Sequence, residues 1–227
     1  MVISLIDEYK LFIFKIKIYE WRLEMDLKIL ELSASHAFGG KNVKPKDSYT
    51  SIIDEYELES TDLSNYNVLI ITYFIDQEYL YKHKQIIENF LSEGKIVIFC
   101  GHLFRKWLPG CSLFMPKKLN SYKDYLVKVP SESTIFKNVE VDDMVANKGV
   151  AGFFARGYYY APENADVELT FTDGKVISYI DRHTTNGTII VHAGQNILGY
   201  KDSDNTKTKI SEQALALLKE EVCGGNK

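Results

Sequence analysis

Two apolar runs, "NVLIIT" at 67–72 and "KIVIFC" at 95–100, lack the polar residue at every second position that a strand with one wet face requires. Between them, "EYLYKHKQIIENFLSEG" places Leu80, Ile87 and Leu91 on one helical face, flanked by Ile86 and Phe90, with Gly94 where such a helix stops. Strand, helix and strand in this order, with continuously apolar strands, is the pattern of a parallel sheet covered by helices on both faces. The expected class is therefore α/β, a three-layer, flavodoxin-like sandwich around a mostly parallel central sheet.

The rest of the chain adds to that frame. "DLKILELS" reads as a buried strand, followed by the glycine-bearing loop "ASHAFGGKNVKPKDS". "YTSIIDEYE" is expected to form a short helix, and "ELESTDLSNYNVLIITYF" a strand, a turn and the second apolar strand. In the C-terminal half, "DVELTFTDGKVISYIDRHTTNGTIIVHAG" has turn signals at Asp173-Gly174 and Asn186-Gly187, which predicts an antiparallel extension. "ISEQALALLKEEV" then predicts a last amphipathic helix with Leu215, Leu218 and Val222 on one face, ending at Gly224.

Bulk properties exclude several classes. With 227 residues and no linker, 25–227 are expected to form one domain, and 45% apolar against 26% charged residues is ordinary globular composition. A net charge of −4 with dispersed lysines argues against nucleic acid. Three cysteines, at 100, 111 and 223, lack C-x-x-C spacing, which suits reduced thiols in a cytoplasmic protein rather than a disulfide framework or zinc knuckle. No run approaches the roughly twenty apolar residues that span a bilayer, so no membrane association is expected.

Residues 1–24 stand apart as a tract of Ile, Phe, Leu, Lys and Tyr without turn chemistry. They are expected to lie outside the functional fold, with translation beginning at Met25. Trp21 is encoded TGG, and an AGG codon at Arg22 makes the pair spell GGAGG, a bacterial-type ribosome-binding sequence just upstream. The competing reading is an edge strand, because "FKIKIY" alternates apolar and basic residues.

"DLSNYNVLIIT", "IIENFLSEGKIVIF", "SESTIFKNV" and "NGTIIVHAGQNIL", in this order, span roughly residues 26 to 200. Together they resemble the class I glutamine amidotransferase-like superfamily, especially its ThuA-like members. The resemblance implies an amidotransferase-like domain. In catalytic members a cysteine sits on a strand-to-helix elbow and a late strand supplies a histidine, usually followed two residues on by glutamate. Carried over, the nucleophile is Cys100 and the base His192, whereas the acid falls on Gly194, which has no side chain. Small residues are favoured two before and two after an elbow nucleophile, but this chain has Ile98 and His102. Nor does a clear helix follow Cys100, since "LFRKWLPG" soon meets Pro109, so a helix dipole to lower the thiol pKa is not evident.

A thiol beside an imidazole at a strand end is nevertheless how many covalent enzymes present a nucleophile. The bland alternative is a small residue closing a buried strand. His36, His102 and His192 each follow a strand, and loops beyond the carboxyl ends of parallel strands converge on one crevice. Ser33, Ser35, Arg105 and Gln195 add polar groups there, and Tyr158 and Tyr159, in "ARGYYYAPEN" beside Arg156, are candidate stacking surfaces. No metal is expected, because these histidines lack ligand spacing and accompanying carboxylates. "HAFGGKN" lacks the phosphate-loop motif.

Two functions follow. The first is an amidotransferase-like domain without a complete triad, binding a small polar ligand or a protein partner at the crevice of His36, Cys100, His102 and His192. The second is a divergent hydrolase or amidotransferase with Cys100 as nucleophile, His192 as base and an acid from elsewhere. Neither implies an organic cofactor.

Overall fold

Ile70, Ile98 and Ile190 lie side by side in one row across three neighbouring strands, and all are buried. Each such side chain contributes roughly 1.5–3 kcal/mol by leaving water. The computed structural model that brings them together describes residues 27–34, 45, 47–147, 150–152 and 154–224. The expectations for residues 1–24, His36 and Ser35 lie outside these residues.

In chain order the elements are β1 (Ile29–Ser33), β2 (Thr50–Asp54), β3 (Val68–Thr72), α1 (Gln77–Lys82), α2 (Lys84–Ser92), β4 (Ile96–Cys100), β5 (Met115–Pro116) and β6 (Val127–Lys128). There follow α3 (Val141–Val145), β7 (Ala146–Asn147), β8 (Val150–Ala151), β9 (Gly157–Tyr158), β10 (Asp166–Phe171), β11 (Val176–Asp181), β12 (Thr188–His192) and α4 (Thr208–Gly224). Eight strands form one sheet in the order β2-β1-β3-β4-β12-β11-β10-β6. The first five are parallel to one another, and β11, β10 and β6 continue antiparallel. The architecture is thus α/β with a mostly parallel central sheet and an antiparallel extension in the C-terminal half.

Every residue of β4 and β12 is buried. Successive side chains point to opposite faces, so both faces of the sheet are covered there. The extension is a meander, and its β10–β11 turn holds Gly174 at φ 84, a left-handed conformation suited to glycine.

The structure corrects three local expectations in the N-terminal half. "YTSIIDEYE" forms β2 rather than a helix, because Ile52 and Ile53 pair in parallel with Glu31 and Leu32 of β1 and complete that ladder. The strand expected at "ELEST" is a 3-10 turn, Glu55–Ser60, begun by a capping box: Asp54 accepts from the Tyr56 N–H while Glu57 accepts from the Asp54 N–H. The helix after β3 is two helices. Asp76 caps the first by accepting from the N–H groups of Glu78 and Tyr79, and His83, at φ −107 and ψ 18, ends it.

The last helix buries Ile210, Ala214, Leu217 and Leu218, leaving Leu215 and Val222 partly covered. Its apolar stripe is therefore rotated from the expected one.

Candidate functional site

The last row of the central ladder is Thr72, Cys100 and His192, so the thiol-bearing and imidazole-bearing residues are register partners on adjacent strands. Register partners on parallel strands share a face of the sheet. Both residues are 0% exposed. Burial pushes the Cys100 thiol up to about 12, against which a backbone hydrogen bond from Ile197 acts weakly. His192 is packed between the rings of Phe136 and Phe154, with centroids 5.7 and 5.2 Å away, and burial pushes it down to about 3. Neither of its ring nitrogens has a hydrogen-bond partner among the described residues. In this arrangement the imidazole does not accept the thiol proton.

Gly194 explains why no acid stands two residues after His192. A Cβ there would lie 2.2 Å from the Phe154 carbonyl oxygen and 2.5 Å from His192 Nε2. The volume a carboxylate side chain needs is already filled by the segment that runs over the strand end.

An open cleft of about 460 Å³ lies above this row. Its walls are the loops after β3, β4 and β12 together with the segment from Gly152 to Arg156. It sits at the carboxyl ends of parallel strands, where such sheets place ligands, and its volume is within the small-molecule range. The polar side chains lining it are Tyr73, Gln77, His102, Arg156 and Gln195.

Local hydrogen bonds fix these walls. Gln77 donates to the His102 carbonyl (2.7 Å) and accepts from the N–H groups of Phe104 (2.7 Å) and Arg105 (3.2 Å), tying the start of α1 to the loop after β4. Gly101 has φ 152, and an added Cβ would meet the Tyr73 backbone at 3.1 Å, so glycine lets the two loops touch. The His102 ring stacks on Phe114 at 3.8 Å. Burial, and then the charge of Arg156, lower the His102 pKa, which keeps the ring neutral at pH 7. Arg156 is oriented by its Nε–H, which donates to the Gly152 carbonyl at 2.8 Å.

Of the residues the sequence singled out, His102 and Gln195 line the cleft. Cys100 and His192 lie beneath it. Arg105 turns aside, its guanidinium held by Glu78 at 2.9 Å and lying over Tyr81 at 4.4 Å. Tyr159 is buried and braces the loop after β4 instead of facing solvent. Tyr158 belongs to the small β5–β9 ladder, with Lys175 Nζ 5.3 Å from its ring. Sequence reasoning does not reach Phe74, Phe104, Phe154 or Gln77, and it meets Arg156 only as a neighbour of the tyrosines.

Among the described residues, no group of three or more His, Cys, Asp or Glu could hold a metal ion, and no helix is long and apolar enough to cross a membrane. No protein-family model and no curated protein matches the chain. Solved structures do match, among them a glutamine amidotransferase from Thermotoga maritima, 12% identical, covering 88% of this chain and 96% of that one with a TM-score of 0.43.

Proposed function

We propose that this chain is a divergent, ThuA-like member of the amidotransferase-like group that binds a small ligand with a polar head at the strand-end cleft and performs no thiol chemistry. One observation carries this reading: the cleft opens onto His102, Arg156 and Gln195, while Cys100 and His192 are sealed below it. A nucleophilic thiol needs a thiolate and a path to substrate. Here the thiol is held protonated, its neighbouring imidazole is held neutral, and the acid position is a glycine without room for a side chain. The place of action is the cytoplasm, where three cysteines free of disulfides stay reduced.

Chemical-shift mapping against a metabolite library tests the reading. Hits are expected on the amides of Gly101–Arg105 and Ala193–Gln195, and hits confined to a distant surface would count against it. A protein partner in place of a small molecule would show as broadening spread well beyond these loops in a cell extract.

The register pairing of Cys100 with His192 favours one second reading, a cysteine-dependent hydrolase or amidotransferase that uncovers the pair. The pH dependence of Cys100 alkylation, with Cys111 and Cys223 replaced, separates the two. A midpoint well below the free-thiol value of about 8.5 supports the hydrolase.

A further inference from the structure

The edge of the cleft carries exposed aromatic side chains. Phe74 is 65% exposed and Phe104 is 62% exposed, and they stand on the loops of the adjacent strands β3 and β4 at the cleft's edge. Phe74 also has φ 73, a left-handed conformation that is a genuine outlier for a bulky side chain and costs on the order of 1–3 kcal/mol. The strained backbone holds most of the phenyl ring at the surface, at the mouth of the cleft. Tyr73 packs edge-on to Phe74 at 4.6 Å, and Phe154 closes the inner wall. Four rings, from two strand-end loops and the 152–156 segment, therefore border one opening.

Among the described residues, the charge in that opening has one sign. Among the described lining residues there is no carboxylate, and the permanently charged group is the guanidinium of Arg156. The chain as a whole is acidic, at −4, so this positive site is local. A guanidinium presents paired N–H donors that match a carboxylate or phosphate, and aromatic rims match a flat apolar body.

We infer that the cleft selects a small organic anion built on a flat ring, with its carboxylate or phosphate at Arg156 and its ring between Phe74 and Phe104. The inference rests on the cleft being a ligand site, as proposed above, and adds the chemical class of the occupant. His102 and Gln195 complete the polar end. His102 is a neutral hydrogen-bonding ring at pH 7, and Gln195 offers both a donor and an acceptor. A sugar, with neither a net charge nor a need for a cation, is disfavoured by the same lining. So is an amine, which would meet Arg156 as a like charge.

Matched probes test this on the native chain. Biphenyl-4-carboxylate and its neutral amide, biphenyl-4-carboxamide, share shape and differ in charge. Titrated into the labelled protein, the acid is expected to shift the amides of Gly101–Arg105 and Ala193–Gln195 with an affinity at least tenfold above that of the amide. Raising NaCl to 0.5 M should narrow this ratio by weakening the acid alone. Arg156→Gln should abolish the ratio, whereas Phe74→Ala and Phe104→Ala should weaken both probes. If Arg156→Gln does not fold, the ratio and its salt dependence in the unaltered chain still decide. An amide that binds as tightly as the acid, or a ratio unchanged in Arg156→Gln, overturns the ligand class while the cleft remains a binding site. If neither the probes nor the metabolite library perturbs these amides, the ligand-site reading itself falls.

Discussion

The phenol of Tyr159 donates to the carbonyl of Gly101 at 2.7 Å, and the same oxygen accepts from the Leu103 N–H at 3.0 Å. One buried hydroxyl thus satisfies two backbone groups, one on either side of His102. Removing it in Tyr159→Phe leaves two buried polar groups unpaired, and a loss of about 1–3 kcal/mol is expected. Urea denaturation measures the loss, and hydrogen exchange at Leu103 should quicken. A change below about 0.5 kcal/mol would show that the turn is held by other contacts.

The thiols are expected to react unequally. Cys100 and Cys111 are buried and both are pushed up to about 12, whereas Cys223 is exposed. Titration with a chromogenic disulfide at pH 8 should release one equivalent from the native protein and three after unfolding, and Cys223→Ser should remove the native signal. A second fast equivalent assigned to Cys100 would return that residue to the list of nucleophiles.

His192 makes stability depend on acid. Its folded pKa is near 3 against the ordinary imidazole value of 6.5, so between those values the unfolded chain binds a proton that the folded chain refuses. Its contribution is therefore complete above pH 6.5 and lost as pH falls toward 3. Between pH 6.5 and 4.5 this amounts to about 2–3 kcal/mol at roughly 1.4 kcal/mol per unit. His192→Leu removes the titration and the two unpaired nitrogens. The variant should match or exceed the parent at pH 7 and outlast it increasingly as pH is lowered to 4.5. Parallel slopes for the two proteins would mean that His192 protonates without unfolding.

Gly194→Glu supplies the missing acid in name only. Its Cβ would fall 2.2 Å from the Phe154 carbonyl, so the 152–156 segment must move. A destabilisation of about 3 kcal/mol or more, read from thermal melting and urea, is expected, with no gain in Cys100 alkylation. Gly194→Ala should already lose most of it. Near-parental stability of both variants would show that the segment yields easily.

The sequence revealed the parallel sheet because β3 and β4 are apolar at nearly every position, a pattern that few other structures accept, whereas the residues of β12 read only as part of the antiparallel extension and the ladder with β4 decides their place. It misread β2, since "TSIID" is too short for periodicity to separate strand from helix, and the ladder with β1 decides it. The location of the cleft follows from strand direction alone, which is why His102 and Gln195 are legible as its lining. Arg156, Phe74 and Phe104 are not, because the first arrives from a segment without regular periodicity and the others look like ordinary strand-end aromatics. The Tyr158–Tyr160 run does hold a usable signal. Strand alternation buries its middle member and leaves its neighbours more exposed.

The β4–β12 ladder joins segments about ninety residues apart, whereas β10, β11 and β12 meet through short turns. Closing the long loop is the entropically costly step of assembly, so the meander is expected to form early and the central seam late. The cleft straddles that seam and is therefore among the last features to be completed. A ligand held there would act chiefly as a brake on opening: it should slow unfolding while leaving the refolding rate nearly unchanged.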